Sequence, residues 1–130
     1  MILAHAIGVE SNYRQPCREV ISVVASGTVD LHMSAQALQE LLLHRMRRAD
    51  TDIAIAGCRA VADLCVIHPI DAGIVSDMVD LVAGSGIRGR DAIHAATALA
   101  AGFKSIVSTD FAFDEVDGLG RVDPQDALRG

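Results

Sequence analysis

Aromatic residues are scarce in this chain, 3% of its 130 positions, with one tyrosine and no tryptophan. Its core therefore has to be built from alanine, valine, isoleucine and leucine, side chains that suit close packing of helices on a sheet. Cysteine is also rare and odd in number, and Cys17, Cys58 and Cys65 show no C-x-x-C spacing. That pattern argues against a disulfide scaffold and fits a reducing, cytoplasmic setting; Cys58 and Cys65, seven apart in an apolar pattern, read as plain core residues. Positive charge is outnumbered, 11 Lys and Arg against 17 Asp and Glu, for a formal charge of −6. Such a balance excludes a protein that holds nucleic acid by bulk charge alone. It leaves a nuclease open, because divalent cations reverse the local sign of an acidic centre. No apolar stretch runs to the ~18 residues a membrane span needs. Met1–Gly8 has neither the basic start nor the cleavage pattern of a secretory signal.

What is present reads as one domain over residues 1–130, without repeats, low-complexity tracts or a linker. The segment Met1-Ile2-Leu3-Ala4-His5-Ala6-Ile7-Gly8 is apolar from its first residue, where termini are usually polar. A helix is expected from about Tyr13, with Pro16 in its first turn and Gly27 as its stop. A strand follows over Val29–Met33. Ser34 then caps a helix reaching Arg48 through Ala37, Leu38, Leu41, Leu42 and Met46. Asp50 or Thr51 caps the next, to about Leu64, and Cys65–His68 forms a strand ended by Pro69. Asp71 caps a helix closed by Gly84-Ser85-Gly86. A loop over Arg88, Gly89 and Arg90 feeds another helix, which starts at Asp91 and is stopped by Gly102, before a short strand from Ser105 that ends in Asp110. A last strand falls around Arg121-Val122. Strands alternating with helices imply crossover connections and a mostly parallel sheet covered on both faces, an α/β fold.

Glu40, Asp91 and Asp110 come from three different elements, each set among apolar or small neighbours rather than in a charge run. Carboxylates that converge in a cleft repel one another and call for a cation, which makes them oxygen ligands for Mg²⁺ or Mn²⁺. Asp91 also reads as a first-turn acid favoured by the helix dipole, and Asp110 as a turn residue. His94 lies three residues after Asp91, and His44 four after Glu40, so each is a candidate for a mixed pair. His5, His32 and His68 read as structural. Arg45, Arg47 and Arg48 extend the Glu40 helix, and Arg88 and Arg90 precede Asp91. They suit a phosphate-backbone substrate and equally suit solvated helix ends.

The run Gly89-Arg90-Asp91-Ala92-Ile93-His94-Ala95-Ala96-Thr97-Ala98, followed by Ser108-Thr109-Asp110-Phe111-Ala112-Phe113-Asp114, resembles PIN-domain proteins, the group that includes VapC-type toxins. Both segments match in order, with a strand between them. Gly118–Pro124 resembles the family's closing strand, Ala35 to Arg45 its second acidic helix, and Ala6 to Arg18 its first helix. The resemblance implies a three-layer α/β/α fold and a Mg²⁺- or Mn²⁺-dependent site that cuts RNA. Glu40, Asp91 and Asp110 would be the catalytic, metal-binding acids, with Asp114 a further metal ligand.

The family also expects an earlier aspartate at the end of the first, central strand, and this sequence has no counterpart. Met1 to Ala6 looks like the residues that follow that acid, and Glu10 comes too late to replace it. The strand is therefore expected to be missing, as in a reading frame with a misplaced start, and the chain as it stands is expected to cut weakly or not at all. The resemblance further implies an RNA substrate, a cognate antitoxin protein, a homodimer and no membrane association. The alternative is a catalytically impaired PIN-like module that binds a partner protein or RNA.

Overall fold

The computed structural model describes residue 22, residues 31–108, residues 110–123 and residue 126. His5, Glu10, Cys17 and most of the expected first helix lie outside the described residues. Within them the order is β1 (His32–Ser34), α1 (Ala35–Met46), α2 (Thr51–Leu64), β2 (Val66–His68), α3 (Ala72–Ser85), α4 (Gly89–Ala100), β3 (Ser105–Val107), a 3₁₀ turn (Phe111–Glu115) and β4 (Gly120–Val122). No helix among the described residues is long and apolar enough to cross a membrane.

Side chains fix most helix starts. Ser34 Oγ accepts the Ala37 N–H at 3.0 Å, Asp50 that of Asp52 at 3.1 Å, and Asp71 that of Ile74 at 2.9 Å, each satisfying an amide the first turn leaves over. α4 is the exception: its cap, Arg88, supplies no side-chain bond, and the helix begins at Gly89, two residues ahead of Asp91. α3 stops where Gly86 takes φ +74°, a left-handed position that suits glycine. Cys65, expected at the start of the second strand, caps α2 in extended backbone, half-buried like Cys58, and both thiols are free.

Among the described residues all strand pairing is parallel, as the alternation of strands and helices implies, and it falls into two pairs. β1 pairs with β2, His32 opposite Val66, and β3 with β4, Ser105 opposite Gly120. α4 packs against both β1 and β3 and so ties the pairs together. Its buried face is made of small residues, Ala92, Ala95, Ala96 and Thr97, with His94 among them. Ile87, Ala92, Ala95, Ile106, Phe113, Val116 and Leu119 form the core on the β3 side. Met33, Ala37, Leu41, Ala54 and Val61 are buried on the β1 side.

Candidate active site

Three elements meet at the N-terminal half of α4: the end of β1 with the α1 that follows, α4 itself, and the turn after β3. Ser34, last residue of β1, is 4% exposed and cannot turn its hydroxyl to water. Its Oγ lies 2.8 Å from His94 Nδ1. On the far side of the ring, Nε2 lies 3.2 Å from Glu40 Oε2. A carboxylate only accepts, so Nε2 carries a proton and donates to Glu40, while Nδ1 and the Ser34 hydroxyl share the bond on the other side of the ring. Glu40 has its second oxygen 3.6 Å from Arg90 Nε. Burial raises the Glu40 pKa, but the hydrogen bond from His94 and the charges of His94 and Arg90 outweigh it, and the carboxyl lies below its ordinary value. Glu40 is thus held ionised, with Oε1 buried and lacking a hydrogen-bond partner.

Asp91 has the opposite bias. Burial comes first, then the charge of Asp110 and the hydrogen bond the two carboxyls share; together they raise Asp91 above its ordinary value despite His94 and Arg90. Asp110 is fixed at the head of the 3₁₀ turn, where Oδ1 accepts the Ala112 N–H at 2.9 Å and its own N–H donates to Ser108 Oγ at 3.0 Å. The two acids therefore face each other just beyond the carboxyl end of β3, the place where parallel α/β sheets present ligand-binding groups.

Asp114 points elsewhere. Its Oδ1 takes a bond from Arg121 Nε at 3.3 Å, and Arg121 also donates to the Ser108 carbonyl at 3.1 Å and stacks over Phe111, 4.4 Å from the ring centroid. Among the described residues no three His, Cys, Asp or Glu side chains come close enough to enclose a metal ion. The donor chemistry nevertheless suits a hard cation: two mutually repelling carboxyls, and a third carboxylate with one buried oxygen lacking a hydrogen bond.

Sequence reading paired Glu40 with His44 by helical spacing, but Glu40 meets His94 from another helix, and His44 Nε2 is buried without a hydrogen bond. Ser34 was legible as a cap but not as the ring's second partner, because a contact 60 residues away leaves no local signal. Arg121 was missed as an organiser of the turn; its place three residues before Pro124 was the only hint.

The PIN domain family profile matches residues 2–119. "Ribonuclease VapC7" of Mycobacterium tuberculosis is 30% identical over 129 residues, spanning 97% of this chain and 89% of that protein. Among solved structures, VapBC2 of Rickettsia felis, bound to a DNA fragment from its promoter, matches with a TM-score of 0.72 at 16% identity, over 94% of this chain and 92% of that one. VapBC-1 of nontypeable Haemophilus influenzae matches with a TM-score of 0.65 at 16% identity, over 82% and 85%.

Proposed function

The chain belongs to the PIN-domain family, and from that premise we propose that it is a divalent-metal-dependent endoribonuclease, the cytoplasmic toxin of a toxin–antitoxin pair. The observation that carries the reading is the pairing of Asp91 with Asp110 at the end of β3, where burial and then the charge of Asp110 raise the pKa of Asp91. Glu40, Asp91 and Asp110 would hold Mg²⁺ or Mn²⁺, with Asp114 entering only if Arg121 releases it. When bound, the cation supplies charge neutralisation for the acids and polarisation of a phosphodiester oxygen. His94 keeps Glu40 oriented and ionised, Ser34 holds the other side of the His94 ring, and the Ala112 amide fixes Asp110. Arg90, whose side chain is 79% exposed, is placed to meet a substrate phosphate beside Glu40. The names of the matched proteins support a VapB-type antitoxin as partner, and a homodimer is proposed on family grounds.

The test is cleavage of a fluorogenic single-stranded RNA with Mn²⁺, comparing the protein, expected to cut weakly as it stands, with Asp91→Asn at protein concentrations that bring the parent's cleavage above the metal-free background. Removing one acid of the pair should lower cleavage by about 100-fold or more, as loss of a principal catalytic group does, while circular dichroism stays unchanged. Equal cleavage by both proteins would refute the assignment. A second reading, a module that binds without cutting, draws on the lack of any three-ligand cluster among the described residues. Calorimetric binding of Mn²⁺ without turnover would favour it.

A further inference from the structure

The chain has one tyrosine and three phenylalanines, and two of the phenylalanines are spoken for. Phe113 is 1% exposed in the core, and the Phe103 ring meets His32 at 4.8 Å and His68 at 6.2 Å between centroids. Phe111 is 65% exposed. A single exposed apolar side chain is ordinary on a protein surface. Phe111 differs in how its ring is held and in what stands beside it.

The geometry of the 3₁₀ turn divides its two phenylalanines. Three residues complete one turn, so residues three apart share a side; Phe111 stands with Asp114, while Phe113 points into the core. Arg121 of β4 reaches across that outer side. Its guanidinium lies 4.4 Å from the centroid of the Phe111 ring, its Nε donates to Asp114 at 3.3 Å, and Nη1 donates to the Ser108 carbonyl at 3.1 Å with Asp123 at 3.9 Å. The Arg121 side chain is itself 14% exposed. One face of the ring thus rests on a cation fixed by three oxygens, and the other face is open to solvent. A ring ordered in advance has little rotamer freedom left to lose when something stacks on it.

The open face also lies beside the acids. Phe111 follows Asp110 directly in the chain, their Cα atoms ~3.8 Å apart, and Asp110 shares a hydrogen bond with Asp91. A nucleotide whose phosphate is held at Asp110 has its own base, or its neighbour's, within reach of the ring. A formal charge of −6 leaves phosphate contacts little affinity to supply. Stacking is an uncharged interaction that every nucleobase offers.

We propose that the open face of Phe111 is a stacking platform for one base of single-stranded RNA, next to the phosphate that the acids would face. The platform rests on the RNA reading of Asp91 and Asp110 and adds to it a contact outside the acids. Because each base has a π-face, the ring positions the strand rather than reads its sequence.

The test is equilibrium binding of a fluorescein-labelled, single-stranded 2′-O-methyl RNA with Mn²⁺, read by anisotropy, which does not depend on cutting. Phe111→Ala should weaken binding by about tenfold, as loss of one base–aromatic stack does, and should leave the salt dependence of affinity unchanged because no charge is removed. Phe111→Leu keeps an apolar side chain without a π-face and should weaken binding about as much, whereas Phe111→Trp should bind as tightly as the parent or tighter. An all-abasic strand of the same length should bind the parent and Phe111→Ala alike. Should Phe111→Ala lose its circular dichroism signal, Phe111→Leu carries the comparison. Parental affinity in Phe111→Leu, as a merely apolar contact would give, overturns the platform, as does a difference between parent and Phe111→Ala that persists on the abasic strand. The nuclease reading is judged separately, by cleavage with Asp91→Asn; if the parent binds no RNA with Mn²⁺, both fall.

Discussion

Asp91 and Glu40 carry opposite pH signatures, and the signs follow from their surroundings. Asp91, raised above its ordinary 3.8, binds its proton more readily folded than unfolded. Stability from this group is therefore full below the unfolded value and falls as pH rises through the folded one. Glu40, lowered from 4.5, contributes stability above the unfolded value that is lost as pH falls through the folded one. Asp91→Asn removes the first effect and leaves the second. Thermal melts without metal should show the variant gaining Tm relative to the parent at pH 7 and gaining little or nothing at pH 3; equal gains at both would show that Asp110 does not repel Asp91. The buried Ser34 hydroxyl has a different weight, because it caps α1 and holds His94 together. Ser34→Ala should cost about 1–3 kcal/mol, combining a lost cap with a buried ring nitrogen left unpaired. It should also raise the Glu40 pKa, read by carboxyl-resolved NMR titration, if the ring loosens. A denaturation midpoint unchanged from the parent would remove Ser34 from the site.

At the scale of elements, two glycines two residues apart predict opposite outcomes. Gly84 lies inside the last turn of α3 with nothing within 4 Å of a built Cβ, so Gly84→Ala should stabilise by about 0.5–1 kcal/mol. Gly86 has equally open space but φ +74°, so Gly86→Ala should destabilise by about 1 kcal/mol through backbone strain alone. Urea melts of both decide it, and the same sign for both would mean the end of α3 is placed wrongly. This stop was legible in Gly84-Ser85-Gly86, as were the caps at Ser34, Asp50 and Asp71, because caps and breakers act within three or four residues. The parallel pairing was legible from element order. Which of the described strands lie side by side was not, since strand neighbours are set by contacts far apart in sequence. The site divided likewise. Asp91 and Asp110 stood out as acids at element ends, whereas His94 as the partner of Glu40, and Arg121 as that of Asp114, rest on contacts between residues that the topology alone brings together.

For the whole molecule, charge governs how RNA approaches. A formal −6 repels a polyanion at long range, and the positive charge beside the acids, exposed Arg88 and Arg90, is local. Arg90 is partly committed to Glu40 at 3.6 Å. RNA binding should therefore depend on the divalent ion more than on these arginines, because a cation held by the proposed ligands Glu40, Asp91 and Asp110 would both add positive charge and free Arg90 from its role as counter-ion. Binding of a non-cleavable 2′-O-methyl RNA should accordingly rise by about tenfold or more when Mn²⁺ is added at constant ionic strength, and fall back when EDTA removes it. Its salt dependence should be shallow, a slope of roughly −1 to −2 in log affinity against log salt, since each phosphate contact on a single strand contributes about −0.7. Affinity that is unaffected by EDTA, or a slope several times steeper, would place the RNA on a basic surface away from the three acids. Arg90→Ala measured in both conditions locates the contact, since its loss should weaken binding by a few-fold with Mn²⁺ present and much less without it.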